Sequence, residues 1–76
     1  MNLKEGKAGQ TYKVLGIDIE QDIERRLEVL GLTEQSRIQV VKNDKKGSMT
    51  VRFRGTRFAF GRRIAENIIV EEIGNE

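Results

Sequence analysis

The stretch RLEVLGL, residues 26–32, is predicted to end a short amphipathic helix on a glycine. The apolar residues leading into it lie four, four and three positions apart, which places them on one helical face: Ile19, Ile23, Leu27 and Leu30. Gly31 is the residue type that most often leaves a helix in the left-handed conformation, and Leu32 is expected to pack back onto the helix.

The helix is predicted to begin at Asp18. A carboxylate at this position can accept hydrogen bonds from the free N–H groups of the first turn, and Gln21, three residues on, completes a pair that resembles a capping box. Acidic side chains follow in the first turns, where the helix dipole favours negative charge.

Short strands are predicted to fill the rest of the chain. Residues 49–54 have the clearest two-residue period, in which Met, Val and Phe alternate with Thr, Arg and Arg, and this predicts one buried and one basic face. A first strand is predicted over residues 11–19, with a bulge at Gly16, another passes through Ile38 and Val40, and a closing strand begins at Ile68. Between the strands we expect a hairpin loop over residues 43–47, a tight turn at Gly55-Thr56 and a helical turn within residues 61–67. Residues 74–76 are predicted to form a frayed tail.

Five short strands and one inserted helix predict a mostly β fold, a small SH3-like barrel, because a flat sheet of this size would leave its edges and core open to water. The pattern by itself also leaves an OB-fold open. The predicted core comprises Val14, Ile23, Leu27, Leu30, Leu32, Ile38, Val40, Val51, Phe53, Phe58, Phe60, Ile64, Ile68 and Val70. The length of 76 residues predicts a single domain, residues 1–76.

Composition argues against several classes of chemistry. The chain has no cysteine and no histidine, so it lacks thiolate and imidazole ligands, a disulfide and a histidine general base. It has no phosphate-binding loop motif, and no apolar run approaches the roughly 20 residues of a membrane span. These features predict a soluble, cytoplasmic protein that is not an enzyme and holds no cofactor. Its carboxylates are assigned to helix dipoles and solubility rather than to a metal site.

Charge is unevenly distributed along the chain. Residues 1–36 carry a net charge of −2 (five basic, seven acidic), residues 37–63 carry +8 (nine basic, one acidic) and residues 64–76 carry −4, which sums to the overall +2. The basic segment is either the solvated outer face of the sheet or the binding surface for an anionic partner. The candidate partner-binding residues are Arg52, Arg54, Arg57, Arg62 and Arg63, with Leu30 and Leu32 at the helix end as a further candidate surface.

The order of RLEVLGL, then GTRFAF at residues 55–60, then AENIIV at residues 65–70 resembles the FeoA family over residues 3–70. The resemblance implies an SH3-like fold and a non-enzymatic accessory role in bacterial ferrous iron uptake. It also implies docking on the cytoplasmic GTP-binding part of the ferrous iron transporter, FeoB, without bound iron or a cofactor. The chain departs from the family pattern at Gly6, Ala8, Gln35 and Phe60. Gln35 replaces a usual glycine, so we expect it to adopt a positive φ.

A small nucleic-acid-binding barrel is the alternative function, favoured only by the basic segment. Such proteins stack bases on exposed aromatic side chains, whereas Phe53, Phe58 and Phe60 are predicted to face the core. FeoA-like domains also end some iron-dependent repressors of the DtxR type. From its length of 76 residues, we expect this chain not to be such a repressor, since the DNA-binding region would not fit.

Overall fold

The computed structural model describes residues 1–74, in which five antiparallel strands form one sheet with the order β4-β3-β2-β1-β5. The elements along the chain are a 3₁₀ turn (Leu3–Glu5), β1 (Thr11–Ile17), α1 (Gln21–Leu30), β2 (Arg37–Asn43), β3 (Met49–Phe53), β4 (Thr56–Phe60), α2 (Arg62–Glu66) and β5 (Ile68–Gly74). The five antiparallel strands and few, short helices confirm the predicted mostly β, SH3-like fold, with α1 inserted after the first strand and α2 as the single predicted helical turn.

The inner face of the sheet and one side of α1 enclose the core. Most of the predicted core residues are buried: Val14, Leu27, Leu32, Ile38, Val40, Val51, Phe53, Phe60, Ile68 and Val70. Ile23, Phe58 and Ile64 are partly buried and pack against this cluster. The core also contains Leu3, Tyr12 and Ala65, which the prediction omitted, and Met49, which lies on the buried face predicted for residues 49–54. Leu3 lies in the 3₁₀ turn before β1, where the Asn2 side chain accepts from the Glu5 N–H and the Glu5 carboxylate accepts from the Asn2 N–H.

The predicted N-cap of α1, Asp18, is wrong by two residues. The helix begins at Gln21, Glu20 is its N-cap residue, and no side chain caps it. Asp18 stays outside the helix because its backbone N–H donates to the Asn67 carbonyl across 2.8 Å, which holds the end of β1 against the segment before β5. A long-range backbone hydrogen bond therefore replaces the predicted local cap. Ile19 consequently lies outside the helix.

The predicted end of α1 is confirmed. Gly31 has φ 100° and ψ 10°, in the left-handed region. Its N–H donates to the Glu28 carbonyl (2.9 Å), and the Leu32 N–H donates to the Leu27 carbonyl (2.8 Å), which together form a Schellman motif. Leu30 was predicted to be buried, and this prediction is wrong, since 45% of its surface is exposed. Leu32, the residue after the glycine, takes the buried place instead.

Three further backbone features can be compared with their predictions: the β3–β4 turn, the bulge in β1 and the C-terminal tail. The β3–β4 turn consists of Arg54 and Gly55, one residue earlier than predicted, since Phe53 and Thr56 are paired. The pairing of β1 with β5 shifts between Val14 and Gly16, which confirms the predicted bulge. Gly74, predicted to fray, ends β5 opposite Thr11. The rest of the predicted tail, Asn75 and Glu76, lies outside the described residues.

Candidate partner-binding surface

The outer face of the sheet carries two arginines side by side. Arg52 on β3 lies opposite Arg57 on β4, and Gln39 on β2 lies opposite Arg52 on its other side. Both arginines are exposed because their neighbours in sequence, including Val51 and Phe53, point into the core. Two like charges directly opposite each other on adjacent strands repel one another. The alternation predicted for β3 thus positions this pair.

Arg54 does not continue the strand, contrary to its predicted place beside Arg52. It occupies the first position of a two-residue turn with φ 53°, and Gly55 follows with φ 77°, as a type I′ hairpin requires. The side chain of Arg54 lies over the end of α1, where a Cβ built on Gly31 would overlap its Cδ and would lie 2.7 Å from its Nε. The last turn of α1 has no basic residue of its own, so Arg54 brings positive charge to the negative end of the helix dipole.

Two shallow hollows flank Arg52 on this face. One, of about 230 Å³, is bordered by Arg37, Phe53 and Arg54. The other, of about 190 Å³, is bordered by Gly9, Val41 and Arg57 among others. We define Arg52, Arg54 and Arg57 as the arginine cluster. Within residues 1–74 none of the three forms an ion pair, so their charges are available to a partner.

The other two candidate arginines have partners within the chain. Arg62 pairs with Glu66 one turn along α2 (3.3 Å), and Arg63 pairs with Glu20 at the start of α1. All four side chains are substantially exposed, so each pair stabilises the fold by roughly 1 kcal/mol or less. The five arginines predicted together therefore separate into a cluster of three and two that are already paired.

The helix end offers a second, apolar surface. Val29 is 83% exposed and lies beside Leu30, and Asp22, Arg25 and Arg26 complete the border of an open hollow of about 560 Å³. Leu32, the other candidate from the sequence, is fully buried and supports the helix rather than facing a partner. Val29 was missed, although one signal for it was available. It is an apolar residue at a position that the helical period assigns to the solvent side.

Neither a metal site nor a membrane-spanning helix is present among residues 1–74. Across residues 1–74, no three side chains of the His, Cys, Asp and Glu types are grouped so that they could hold a metal ion. In the same part of the chain, no helix is both long and apolar enough to cross a membrane.

The fold and the sequence identify the family. A model of the FeoA domain matches residues 1–72. The chain belongs to the FeoA family. It is similar to the FeoA protein of Chlorobium tepidum, with 30% identity and a TM-score of 0.89, over 100% of this chain and 73% of that one. It is also similar to an iron uptake regulatory protein, FeoA, with 27% identity and a TM-score of 0.87, over 96% and 97% of the two chains.

Similarity also extends to proteins of another class. The fold matches part of a manganese-dependent transcriptional repressor with a TM-score of 0.86 and 22% identity, over 96% of this chain and 36% of the repressor. At that identity the match shows a shared fold alone. A comparison with curated proteins gives no match.

Proposed function

We propose that this protein is a non-enzymatic accessory module of bacterial ferrous iron uptake that docks on the cytoplasmic GTP-binding part of FeoB. Its membership of the FeoA family supports a role in ferrous iron transport. In this proposal the partner presents acidic side chains and the protein acts in the cytoplasm.

The observation that supports docking is the arginine cluster. Arg52 and Arg57 repel each other across β3 and β4, and no carboxylate within residues 1–74 neutralises them. Carboxylates of a partner would remove that repulsion and could form bidentate contacts with the guanidinium groups. Attraction of this kind chiefly accelerates association, and it weakens as salt is added.

A charge reversal tests the proposal. The double variant Arg52→Glu with Arg57→Glu should fold normally, because exposed substitutions shift the free energy of unfolding by under about 0.5 kcal/mol. Its binding to the cytoplasmic domain of FeoB should weaken, and the salt dependence of binding should flatten. Titration calorimetry at two salt concentrations measures both effects.

The matched control changes the two paired arginines. Arg62→Glu with Arg63→Glu alters the net charge of the chain by the same amount, so an effect of total charge alone would appear in both variants. Equal binding losses in the two double variants would contradict docking through the arginine cluster. Unchanged binding by the first double variant would move the docking site to Val29 and Leu30.

The structure offers little support for the alternative function, nucleic-acid binding, because the phenylalanine rings pack on one another. Phe53 and Phe58 stack on each other with ring centroids 4.3 Å apart, and Phe60 packs beside them, so these rings are engaged with one another. A titration of the wild-type protein with single-stranded DNA separates the two functions, because nucleic-acid binding would fall steeply with salt and would be lost in the first double variant.

A further inference from the structure

We infer that β4 receives an extended acidic segment of the partner protein as an added strand, with the arginine cluster binding its carboxylates. The inference rests on the proposed function for the identity of the partner. It adds the backbone geometry by which that partner is held.

The two edge strands of the sheet, β5 and β4, differ in whether another segment pairs with their outer side. At β5, the Val70 N–H donates to the Met1 carbonyl across 2.9 Å, and Asn2 forms a bridge with Ile69, so the start of the chain covers this edge at Ile69 and Val70. At β4, no segment among residues 1–74 pairs with the outer side of the strand. An uncovered edge of this kind presents a row of free N–H and C=O groups to a further strand.

The hairpin register shows which groups are free. Phe53 and Thr56 flank the two-residue turn and form a hydrogen-bonded pair, so alternate pairs along the hairpin are not hydrogen-bonded. Arg57 and Ala59 belong to these alternate pairs, and their N–H and C=O groups therefore point away from β3. A segment laid along β4 could make hydrogen bonds to both residues.

The side chains along β4 specify an amphipathic occupant. Arg57 and Ala59 are exposed on the outer face, whereas Phe58 on the inner face is only partly buried. A strand that alternates acidic and apolar residues would place carboxylates beside Arg57 and apolar side chains beside Phe58. Arg54, at the end of the hairpin, would extend the basic surface along the same segment.

Charge argues against a second copy of this chain at the edge. Pairing β4 with its own copy would bring two basic strands together, and like charges on adjacent strands are destabilising. Charged side chains on an edge strand also serve to prevent such pairing. The experiment therefore has to separate recognition of an acidic strand from mere protection of the edge.

The first experiment uses a short soluble peptide of alternating glutamate and valine, with an alternating lysine and valine peptide as its control. The amide hydrogen exchange of Arg57 and Ala59 in the wild-type protein is followed by NMR. We expect at least tenfold slower exchange at these two amides with the glutamate peptide and no change with the lysine peptide. Unchanged exchange with the glutamate peptide, or slowing caused by self-association without any peptide, would overturn the inference.

The second experiment uses the cytoplasmic domain of FeoB and a variant pair. Ala59→Pro removes the outward N–H of Ala59 and is compatible with an edge strand, whereas Ala59→Thr keeps that N–H. Thermal melts verify that both variants fold. We expect the proline variant to bind the domain at least tenfold more weakly than wild type, and the threonine variant to bind like wild type.

The outcomes distinguish this inference from the proposed function. If the FeoB domain binds wild type and Ala59→Pro equally, the edge is not used, although docking itself stands. If the domain binds neither wild type nor variant, the proposed function fails, and the exchange measurement with the glutamate peptide still decides whether β4 accepts an acidic strand.

Discussion

The end of α1 and the β3–β4 turn both leave a regular element through positive φ, and they do so with different residues. At the end of α1 the left-handed position is Gly31, with φ 100°. At the turn, Arg54 has φ 53° and precedes Gly55. Glycine takes this conformation without a steric penalty, whereas an arginine there costs roughly 1–2 kcal/mol.

The residue at Gly31 stabilises its backbone conformation, whereas Arg54 destabilises the conformation that it adopts. Gly31 completes a Schellman motif that the chain around Leu27 and Leu32 already favours. Asparagine followed by glycine would suit the hairpin turn better than Arg54 followed by Gly55. Arg54, which the backbone conformation disfavours, belongs to the arginine cluster. A role of its charge in binding would explain why an arginine occupies this position.

The largest expected effect lies on the buried side of the helix end. Leu27→Ala should lower the free energy of unfolding by about 2–5 kcal/mol, because it removes a core side chain and leaves a cavity. Val29→Ala, two residues away on the exposed side, should change it by under about 0.5 kcal/mol. Chemical denaturation of both variants measures the difference. Similar losses in the two would contradict the burial of Leu27 and the exposure of Val29.

An intermediate effect is expected at the glycine itself. Gly31→Ala should destabilise the protein by about 1 kcal/mol, because alanine resists the left-handed conformation. Gly31→Asn should lose less, since asparagine adopts that conformation more readily. Both variants introduce a Cβ that meets the Arg54 side chain, so this contact is common to the two. Equal melting temperatures for the two variants would instead assign the loss to the collision with Arg54.

The smallest expected effect is at the turn, and its sign is opposite. Arg54→Asn should raise the free energy of unfolding by a few tenths to about 1 kcal/mol, because it relieves the backbone penalty. The same variant should bind the cytoplasmic domain of FeoB more weakly. Arg54→Lys keeps the charge and the penalty, so it serves as the control for both measurements. A lower melting temperature for Arg54→Asn would mean that the contact with Gly31 outweighs the strain.

Patterns between residues close in sequence predicted much of the molecule. The end of α1 and the alternation along β3 depend on backbone geometry within a few residues. The positive φ at Gln35, observed as 75°, was instead predicted from the resemblance to a family that usually has glycine there. The family was also recognisable from three short segments and their order. Of the candidate arginines, Arg52 and Arg57 were named from local geometry, since alternation along a strand shows which side chains avoid the core.

Only the tertiary structure decided which of these arginines are available and where the helix begins. Arg63 is paired with Glu20, 43 residues away in sequence, and the Asp18 N–H is taken by Asn67. Leu30 is exposed because the core lies on the Leu27 side of α1. The start of the chain pairs with β5, whereas no segment within residues 1–74 pairs with the outer side of β4. Such contacts form when the fold brings segments that are distant in sequence together. Local periodicity reflects only burial and hydrogen bonding between near neighbours in sequence, so it cannot predict these contacts.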